Sequence, residues 1–396
     1  MDSSNIYIRY NKMKIGILTQ PLHNNYGGLL QNYALQQVLK GMGHKVETID
    51  HSFCIKISWL RQILSKTKVR LLHALCPKRY NLTRYIPNAQ EQAIIRSNTN
   101  YFIDKYISHT NTLCTAKEFN DIAKLNKYSA YVVGSDQCWR PRYNGSFLLE
   151  MFLCFTENQA NVKRIAYAAS FGTDDWEFSP EMTNKCSTLA KRFDLITVRE
   201  TSGVELCKKH LGVEAKHVLD PTMLLDKEDY IKLVENENEP RKSGNLFYYI
   251  LDPSAEKKTL VEDVAEKNGL VSFTVMPRYQ EENRTKYDVK KRLDDCIYPS
   301  VTSWLRAFID AEMVIVDSFH GAVFSIIFNK PFWVLSNASR GNARFDSLLG
   351  VFGLEDRIIT PEDTIDWEKP IDWERVNRIR EREKKQSLKC FEFLLK

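Results

Sequence analysis

The chain of 396 residues is long enough for two domains, and its 43% hydrophobic and 27% charged residues are typical of a globular protein. No apolar run reaches the roughly 18 residues of a membrane span, and the N-terminus, MDSSNIYIRYNKMK, lacks the apolar core of a secretory signal. The net charge of +6 is too small to indicate nucleic-acid binding, and nine scattered cysteines without a CxxC pair favour reduced thiols in a cytoplasm over a disulfide framework or a zinc site.

The N-terminal region is typical of a βαβ unit with glycines in its first turn. KIGIL at 14–18 predicts a buried strand, a helix follows a polar loop and ends at Gly43, and 45–49 predicts a second strand. Gly27 and Gly28 open the helix without the GxGxxG spacing of a dinucleotide site. Adjacent glycines let a phosphate or a sugar approach the backbone closely, so both are candidate binding residues. A plain βα turn is the alternative.

A basic segment interrupts this domain. Residues 51–90 contain eight lysines and arginines and no acidic residue, and Trp59 and several leucines lie among the bases. Such a stretch can lie on an anionic membrane surface, so residues 56–84 are a candidate for peripheral membrane contact. The alternative is a solvated helical excursion of the N-terminal domain, spanning 51–125.

Four further strands are predicted before residue 220, and each ends in a polar or glycine-bearing turn. They lie at 130–134, 164–169, 194–198 and 217–219. Strands followed by such turns and then by helices indicate a parallel sheet, whose ligands bind at the carboxyl ends of the strands. The residues at these ends are the candidates: Ser135, Asp136, Ser170 and Arg199.

The second half repeats the pattern around its most apolar segment. Strands are predicted at 245–251 and 271–275, and Glu312 to Leu335 predicts a strand at 313–316, a polar turn, a helix at 322–328 and a strand at 332–335. The turn holds Asp317, Ser318, His320 and Gly321. A helix N-terminus favours anions, so this turn is a candidate anion site. For His320 the alternative is a capping or core histidine.

The predicted fold is therefore α/β, with two Rossmann-like domains facing a cleft. Residues 12–225 form the N-terminal domain, residues 240–365 form the C-terminal domain, and a helix within 370–396 is expected to cross back to the N-terminal domain. Strand ends that face one another across a cleft suit a transferase with two substrates.

Six segments, in this order, resemble the polysaccharide pyruvyl transferase family: KIGILTQPLHNNYGGLLQNYAL, VVGSDQCWRP, YAASFG, VRE, LDPTMLL and VDSFHGAVFSIIFNKPFWVL. The resemblance extends from residue 14 to about residue 350. It implies a GT-B-like pair of domains, with the acceptor on the N-terminal side and the donor on the C-terminal side. It also implies transfer of a pyruvyl group from phosphoenolpyruvate onto sugar hydroxyls as a ketal, without a metal or cofactor. The acceptor would be a bacterial-type surface polysaccharide, such as a capsule or exopolysaccharide, or its lipid-linked precursor.

The same resemblance implies site residues. The family's phosphoenolpyruvate-contacting histidine falls on His320, and its arginine after a late strand of the N-terminal domain falls on Arg199. Many members carry Arg-Leu-His where this chain has Ser318-Phe319-His320. Arg344 or Arg340, in the following loop, is the expected replacement for the missing arginine.

The chemistry of ketal formation assigns expected roles to these residues. His320 is the candidate proton donor or phosphate contact, and Asp136 is the candidate base for the acceptor hydroxyl or, alternatively, a helix N-cap. Asp317 is expected to orient His320 or to cap its helix, and Ser135 and Ser170 are expected to donate hydrogen bonds into the crevice.

Two other functions fit the same fold. A glycosyltransferase would bind a nucleotide sugar in the cleft, and a non-catalytic protein would bind a sugar or phosphate there without turnover. If the acceptor is lipid-linked, residues 56–84 could hold the enzyme at the inner face of the membrane.

Overall fold

A computed structural model describes residues 12–52, 87–278, 293–336, 343–363 and 366–394. The basic segment 56–84 and Arg340 lie outside the described residues. The described strands are β1 (Lys14–Leu18), β2 (Lys45–Thr48), β3 (Ala130–Val133), β4 (Lys163–Ala169), β5 (Leu195–Val198), β6 (Lys216–His217), β7 (Leu246–Tyr249), β8 (Ser272–Phe273), β9 (Met313–Val316), β10 (Phe332–Leu335) and β11 (Ile358–Ile359). The described α-helices are α1 (Tyr26–Gly41), α2 (Ala89–Ile95), α3 (Ser97–Tyr106), α4 (Ala116–Asn126), α5 (Pro141–Asn144), α6 (Pro180–Ala190), α7 (Thr201–Leu206), α8 (Lys227–Asn236), α9 (Ala255–Asn268), α10 (Val301–Asp310), α11 (Phe319–Ile327), α12 (Ala343–Phe352) and α13 (Trp373–Leu394).

The N-terminal sheet is parallel throughout, with the strand order β2-β1-β3-β4-β5-β6. β3 is fully buried and β1 and β4 are buried except at their first residue, as expected of strands covered by helices on both faces. Because all strands run the same way, their carboxyl ends meet at one edge. Thr19, Ser170 and Arg199 directly follow three of these strands at that edge, and Ser135 lies two residues after β3.

The C-terminal sheet is also parallel, with the order β11-β10-β9-β7-β8. The apolar segment from β9 to β10 lies at its centre, and every residue of α11 is buried. The helix begins at Phe319 and not at residue 322 as predicted, because the side chain of Ser318 accepts a hydrogen bond from the Gly321 N–H and caps the helix there. Phe319, His320 and Gly321 therefore belong to the first turn of the helix.

The two domains share one hydrophobic core, which extends from Ile15 of the first sheet to Val316 of the second. Tyr26, at the start of α1, is 0% exposed and inserts into the C-terminal domain. Its hydroxyl donates to the carbonyl oxygen of Pro299 at 2.9 Å, and its ring centroid lies 5.9 Å from that of Trp304. The domain contact is thus formed beside Gly27, at the mouth of the cleft.

Helix α13 starts on the C-terminal domain and ends on the N-terminal domain. Near its start, Arg375 donates to the carbonyl oxygen of Phe352, at the end of α12. Near its end, the Ser387 hydroxyl accepts the Leu219 N–H at 3.1 Å, and the Phe391 ring lies 4.3 Å from that of Tyr167 in β4. The helix thereby joins both domains.

The cysteines differ in part from the expectation of reduced thiols. Cys138, Cys186 and Cys207 are buried free thiols, but Cys114 is disulfide-bonded, so the expectation was wrong at this position. Within the described ranges, no helix is both long and apolar enough to span a bilayer.

Candidate active site between the two domains

The carboxyl ends of the two sheets enclose a cavity of about 100 Å³. Its N-terminal wall consists of Asn25, Gly27, Asp136 and Gln137. Its C-terminal wall includes all three polar residues expected from the apolar segment, together with Arg344: Asp317, Ser318, His320 and Arg344. The cavity therefore brings together most of the residues that sequence analysis singled out, from segments about 300 positions apart.

His320 lies in the first turn of α11 and its ring packs directly against Gly27 of α1. A Cβ atom on Gly27 would lie 2.2 Å from Nδ1 of His320, so no other residue type fits there without displacing the imidazole. The Nε2 atom lies 3.6 Å from Oδ2 of Asp220, at ion-pair distance. Gly27 thus allows the close approach of an imidazole from the opposite domain.

Gly28 has a different environment from its neighbour. Its N–H donates to Oδ1 of Asn25, the N-cap of α1, at 3.1 Å. An added Cβ would meet only the Asn25 side chain, at 3.1 Å or more. Gly28 does not line the cavity.

Arg199, directly after β5, is the centre of a buried ion cluster. Its guanidinium pairs with Asp136 at 3.2 Å, Glu200 at 3.3 Å and Asp220 at 2.9 Å, and its side chain is 1% exposed. The guanidinium also lies over the Phe319 ring, 4.1 Å from its centroid. Burial lowers the pKa of Arg199, but the three carboxylates outweigh this and hold it above its usual range.

This geometry bears on the predicted donor contact through Arg199. The residue does not line the cavity, and its charge is already compensated by three carboxylates. Its guanidinium would have to leave at least one of them to bind a donor directly. In this arrangement it fixes the acidic residues around it.

Asp136 lines the cavity and forms an ion pair with Arg199, and it does not cap a helix. Burial raises the pKa of Asp136, but Arg199, His320 and Arg344 together hold it below its usual value. The carboxylate is therefore ionised at neutral pH and can accept a hydrogen bond or a proton from a bound hydroxyl group.

Ser135 and Ser170 are fully buried and donate away from the cavity. The Ser135 hydroxyl donates to Oδ2 of Asp220 at 2.8 Å, and the Ser170 hydroxyl donates to Oε1 of Glu200 at 2.6 Å. Both serines thus orient carboxylates of the Arg199 cluster. Contrary to the expectation, neither of them lines the crevice.

Asp317 does not perform either expected role. Its carboxylate accepts the N–H groups of Leu251 at 2.6 Å and Asp252 at 3.0 Å, and it pairs with Nζ of Lys257 at 2.8 Å. It therefore ties the end of β9 to the loop after β7, while Ser318 caps α11. Gly321 serves close packing, since an added Cβ would lie 2.8 Å from the Val316 side chain.

Arg344, near the start of α12, is the cation of the cavity wall. It is buried, and its Nε atom has no hydrogen-bond partner among the residues that the structure describes. Burial and the nearby Arg199 lower the pKa of Arg344, while Glu200 and Asp136 raise it. Within the described part of the chain no ion pair is formed by this guanidinium, so it is available to an anion in the cavity.

Two acidic residues of the site were not singled out from the sequence. Asp220 opens the short helical turn Pro221–Leu224, where its side chain accepts the Thr222 N–H, and Glu200 directly follows Arg199. The signal that could have found them is their position: Glu200 is one residue beyond Arg199, and Asp220 directly follows the strand predicted at 217–219.

A family model described as "Polysaccharide pyruvyl transferase" matches residues 25–339. The chain belongs to this family. The matched range begins at the N-cap of α1 and includes every cavity residue named above except Arg344. Membership in the polysaccharide pyruvyl transferase family makes the chain an enzyme of polysaccharide biosynthesis. No curated protein sequence matches it.

Solved structures resemble this pyruvyl transferase family member at low identity. UDP-GlcNAc 2-epimerase of Methanocaldococcus jannaschii aligns with a TM-score of 0.46 and 12% identity, over 94% of this chain and 92% of that chain. The glycosyltransferase of kitacinnamycin aligns with a TM-score of 0.46 and 12% identity, over 97% and 98%. ADP-heptose heptosyltransferase II of E. coli aligns with a TM-score of 0.38 and 9% identity, over 94% and 99%. The GT-B-like assignment itself is carried by the two parallel sheets that face one cleft.

Proposed function

We propose that this enzyme transfers a pyruvyl group from phosphoenolpyruvate to two hydroxyl groups of a sugar, forming a cyclic ketal and releasing phosphate. The acceptor is a glycan of a bacterial-type surface polysaccharide or its lipid-linked precursor. The proposed reaction uses no metal and no cofactor besides the donor substrate.

The observation that carries this proposal is the arrangement of Arg344, His320 and Asp136 around one interdomain cavity in a member of the pyruvyl transferase family. Phosphoenolpyruvate carries about three negative charges near neutral pH, so its site needs cations whose charge is not already compensated. Arg344 supplies such a cation. His320 supplies an imidazole, a group that can act as a general acid or contact a phosphate.

The residues support a reaction that conserves atoms and charge. A proton moves to the methylene carbon of the donor, which becomes a methyl group, and positive charge develops at C2. One sugar hydroxyl attacks C2, the phosphate leaves, and a neighbouring hydroxyl closes the ketal ring. One of the two hydroxyl protons replaces the proton that was given to carbon, and the other protonates the departing phosphate.

Each step has a candidate group at the cavity wall. His320 gives the proton or contacts the phosphate, Arg344 pairs with the donor's negative charge, and the ionised Asp136 accepts a hydroxyl proton from the acceptor. Gly27 and Asn25 bring the acceptor side of the N-terminal domain to the same cavity. The donor thus lies on the C-terminal side and the acceptor on the N-terminal side.

The proposal includes peripheral association with the cytoplasmic face of a membrane if the acceptor is lipid-linked. The basic charge of residues 56–84 supports it. Flotation of the full-length protein with vesicles containing anionic lipid, at low and high salt, tests this part separately. Failure to float at low salt would remove membrane contact and leave the transfer reaction unaffected.

The test of the reaction is phosphate release from phosphoenolpyruvate in the presence of a panel of defined oligosaccharides, with mass spectrometry of the acceptors. The expected product is heavier than its acceptor by about 70 Da, because the acceptor gains pyruvate and loses water. His320→Asn should abolish both signals while the protein stays folded. Turnover of UDP-sugars but not of phosphoenolpyruvate would instead identify a glycosyltransferase, and binding without turnover would identify a binding protein.

A further inference from the structure

The His320 ring contacts the N-terminal domain on two sides. Nδ1 faces Gly27 at the wall of the cavity, and Nε2 lies 3.6 Å from Oδ2 of Asp220. The Nε2 atom is buried and has no closer hydrogen-bond partner. The group that Nε2 faces is therefore a carboxylate that belongs to the other domain.

Asp220 is held rigidly in this position. Its Oδ2 accepts from the Ser135 hydroxyl at 2.8 Å and from Arg199 at 2.9 Å, and its Oδ1 accepts from the Thr222 hydroxyl at 2.7 Å. Its side chain is fully buried. Burial raises the pKa of Asp220, but His320, Arg199 and Thr222 outweigh it and hold this pKa well below the usual range. A fixed negative charge thus faces the imidazole at every pH in the working range.

We propose that Asp220 is a positioning residue that orients the His320 ring, with Nε2–H toward the carboxylate, and stabilises the imidazolium. The inference rests on the proposed function, in which His320 supplies a proton. In the proposed reaction the imidazolium gives a proton to the methylene carbon of the donor and regains one from an acceptor hydroxyl. Since the imidazole and the carboxylate come from different domains, the charged acid forms only where the two domains meet.

Other charged groups also act on the ring, and their signs differ. Asp136 is negative and interacts electrostatically with His320, whereas Arg199 and Arg344, which both interact with Asp136, are positive. Tyr249 and Asp317 line the same cavity, and the charge of Asp317 is compensated by Lys257. Asp220 is the carboxylate at ion-pair distance from Nε2, and its side chain is fully buried.

The experiment is a pH titration of the full-length protein with ¹⁵N-labelled histidine, in which His320→Asn identifies the His320 resonances. In the wild type, the neutral ring should be the Nε2–H tautomer. Asp220→Asn should move the titration midpoint of His320 to lower pH by about one unit or more, a tenfold change in proton affinity. Asp317→Asn is the matched control, since it removes a buried carboxylate of the same cavity wall and should leave the midpoint within about 0.3 units.

Two results would overturn the inference: an Nδ1–H tautomer in the wild type, or an unchanged midpoint in Asp220→Asn. The tautomer measurement needs no variant, so it decides the question even if Asp220→Asn does not fold. Neither measurement needs donor or acceptor. Absence of phosphate release would therefore contradict the proposed function, whereas the titration would still decide the inference about Asp220. If phosphate is released, the alkaline limb of the pH profile in Asp220→Asn should move to lower pH, and kcat should fall more than KM rises.

Discussion

Arg199 and Arg344 both interact electrostatically with Asp136, and what their guanidinium groups contact separates their roles. Arg199 is surrounded by three carboxylates, whereas Arg344 is buried at the cavity wall without an ion pair among the described residues. A buried cation without a partner costs free energy of folding, and an anionic substrate removes that cost. The geometry thus favours Arg344 for the donor and Arg199 for the internal structure of the site.

Arg344→Gln should raise the KM for phosphoenolpyruvate by about 10- to 150-fold, because a hydrogen bond to a charged group contributes about 1.5–3 kcal/mol. Steady-state kinetics of phosphate release measure this. Arg142→Gln, which removes an exposed positive charge outside the cavity wall, is the control and should leave the KM unchanged. An unchanged KM in Arg344→Gln would show that another residue replaces the arginine missing at Ser318.

Gly27 and Gly28 form a matched pair of adjacent glycines. Gly27→Ala places a methyl group where the His320 ring lies, so the imidazole must move and turnover should fall by at least about 100-fold. Gly28→Ala meets only the flexible Asn25 side chain and should stay within a few-fold of the wild type. Turnover of the two variants and their melting temperatures are the measurements. Equal effects of the two substitutions would contradict the role assigned to Gly27.

At the scale of the element, the N-cap of α11 links stability to activity. Ser318→Ala removes the hydroxyl that accepts the Gly321 N–H, and it should lower the free energy of unfolding by about 1 kcal/mol. Ser254→Ala removes the corresponding cap of α9, where the side chain accepts the Lys257 N–H. Both variants should lose similar stability in urea unfolding. Only Ser318→Ala should also reduce turnover, since α11 carries His320, and a loss of turnover in both would point to a general effect on folding.

The elements themselves could largely be predicted from the sequence. Strands such as β1, β9 and β10 were predicted with the bounds that the structure has, because short apolar runs between turn residues have one stable solution in a parallel sheet. The start of α11 was predicted three residues late, since the pattern of apolar residues does not reveal that Ser318 rather than Asp317 caps it. Local hydrogen bonds of this kind depend on which side chain reaches the free N–H groups.

The site could be predicted only in part. Strand ends gave the place of Asp136, Arg199 and His320, because parallel strands bring their carboxyl ends together. The sequence did not reveal that the Ser135 and Ser170 hydroxyls donate hydrogen bonds to buried carboxylates and not into the cavity. It also did not reveal that three carboxylates compensate the charge of Arg199. These contacts are set by side-chain direction and by the packing of one domain on the other, which periodicity does not encode.

At the scale of the whole molecule, a buried histidine makes stability depend on pH. His51 is 2% exposed, its ring stacks on that of Phe147 at 5.8 Å, and neither nitrogen has a hydrogen-bond partner among the described residues. Burial, with a smaller effect of His23, lowers the pKa of His51 to about 4. The unfolded chain, with a pKa of about 6.5 for this group, takes up the proton first. The contribution of His51 to stability is therefore complete above pH 6.5 and is lost as the pH falls from 6.5 toward 4.

His51→Phe should remove this sensitivity to acid. Between pH 7 and pH 5, the free energy of unfolding of the wild type should fall by about 2 kcal/mol more than that of the variant. Urea unfolding at the two pH values measures the difference. His109→Gln, which removes an exposed imidazole of the same domain, is the control variant. If His51→Phe loses as much stability as the wild type over this range, the ring is protonated or hydrated in the folded protein.

Helix α13 contacts both domains, so we expect it to couple their unfolding. Its start is bound to α12 through Arg375, and its end packs on β4 through Phe391, which is 0% exposed. Phe391→Ala should destabilise the N-terminal domain by about 3–5 kcal/mol, as expected for a large side chain removed from a core. Because the Ser387 hydroxyl of the same helix accepts the N–H of Leu219, next to Asp220, the variant should also loosen the carboxylate that faces His320. Calorimetry should therefore show one transition in the wild type and an earlier, separate transition in Phe391→Ala, accompanied by lower turnover.

Leu125→Ala is the control, since this leucine is 78% exposed and its loss should change stability by less than about 0.5 kcal/mol. A single transition in Phe391→Ala, shifted no more than that of the control, would mean that the shared core around Tyr26 couples the domains without the helix.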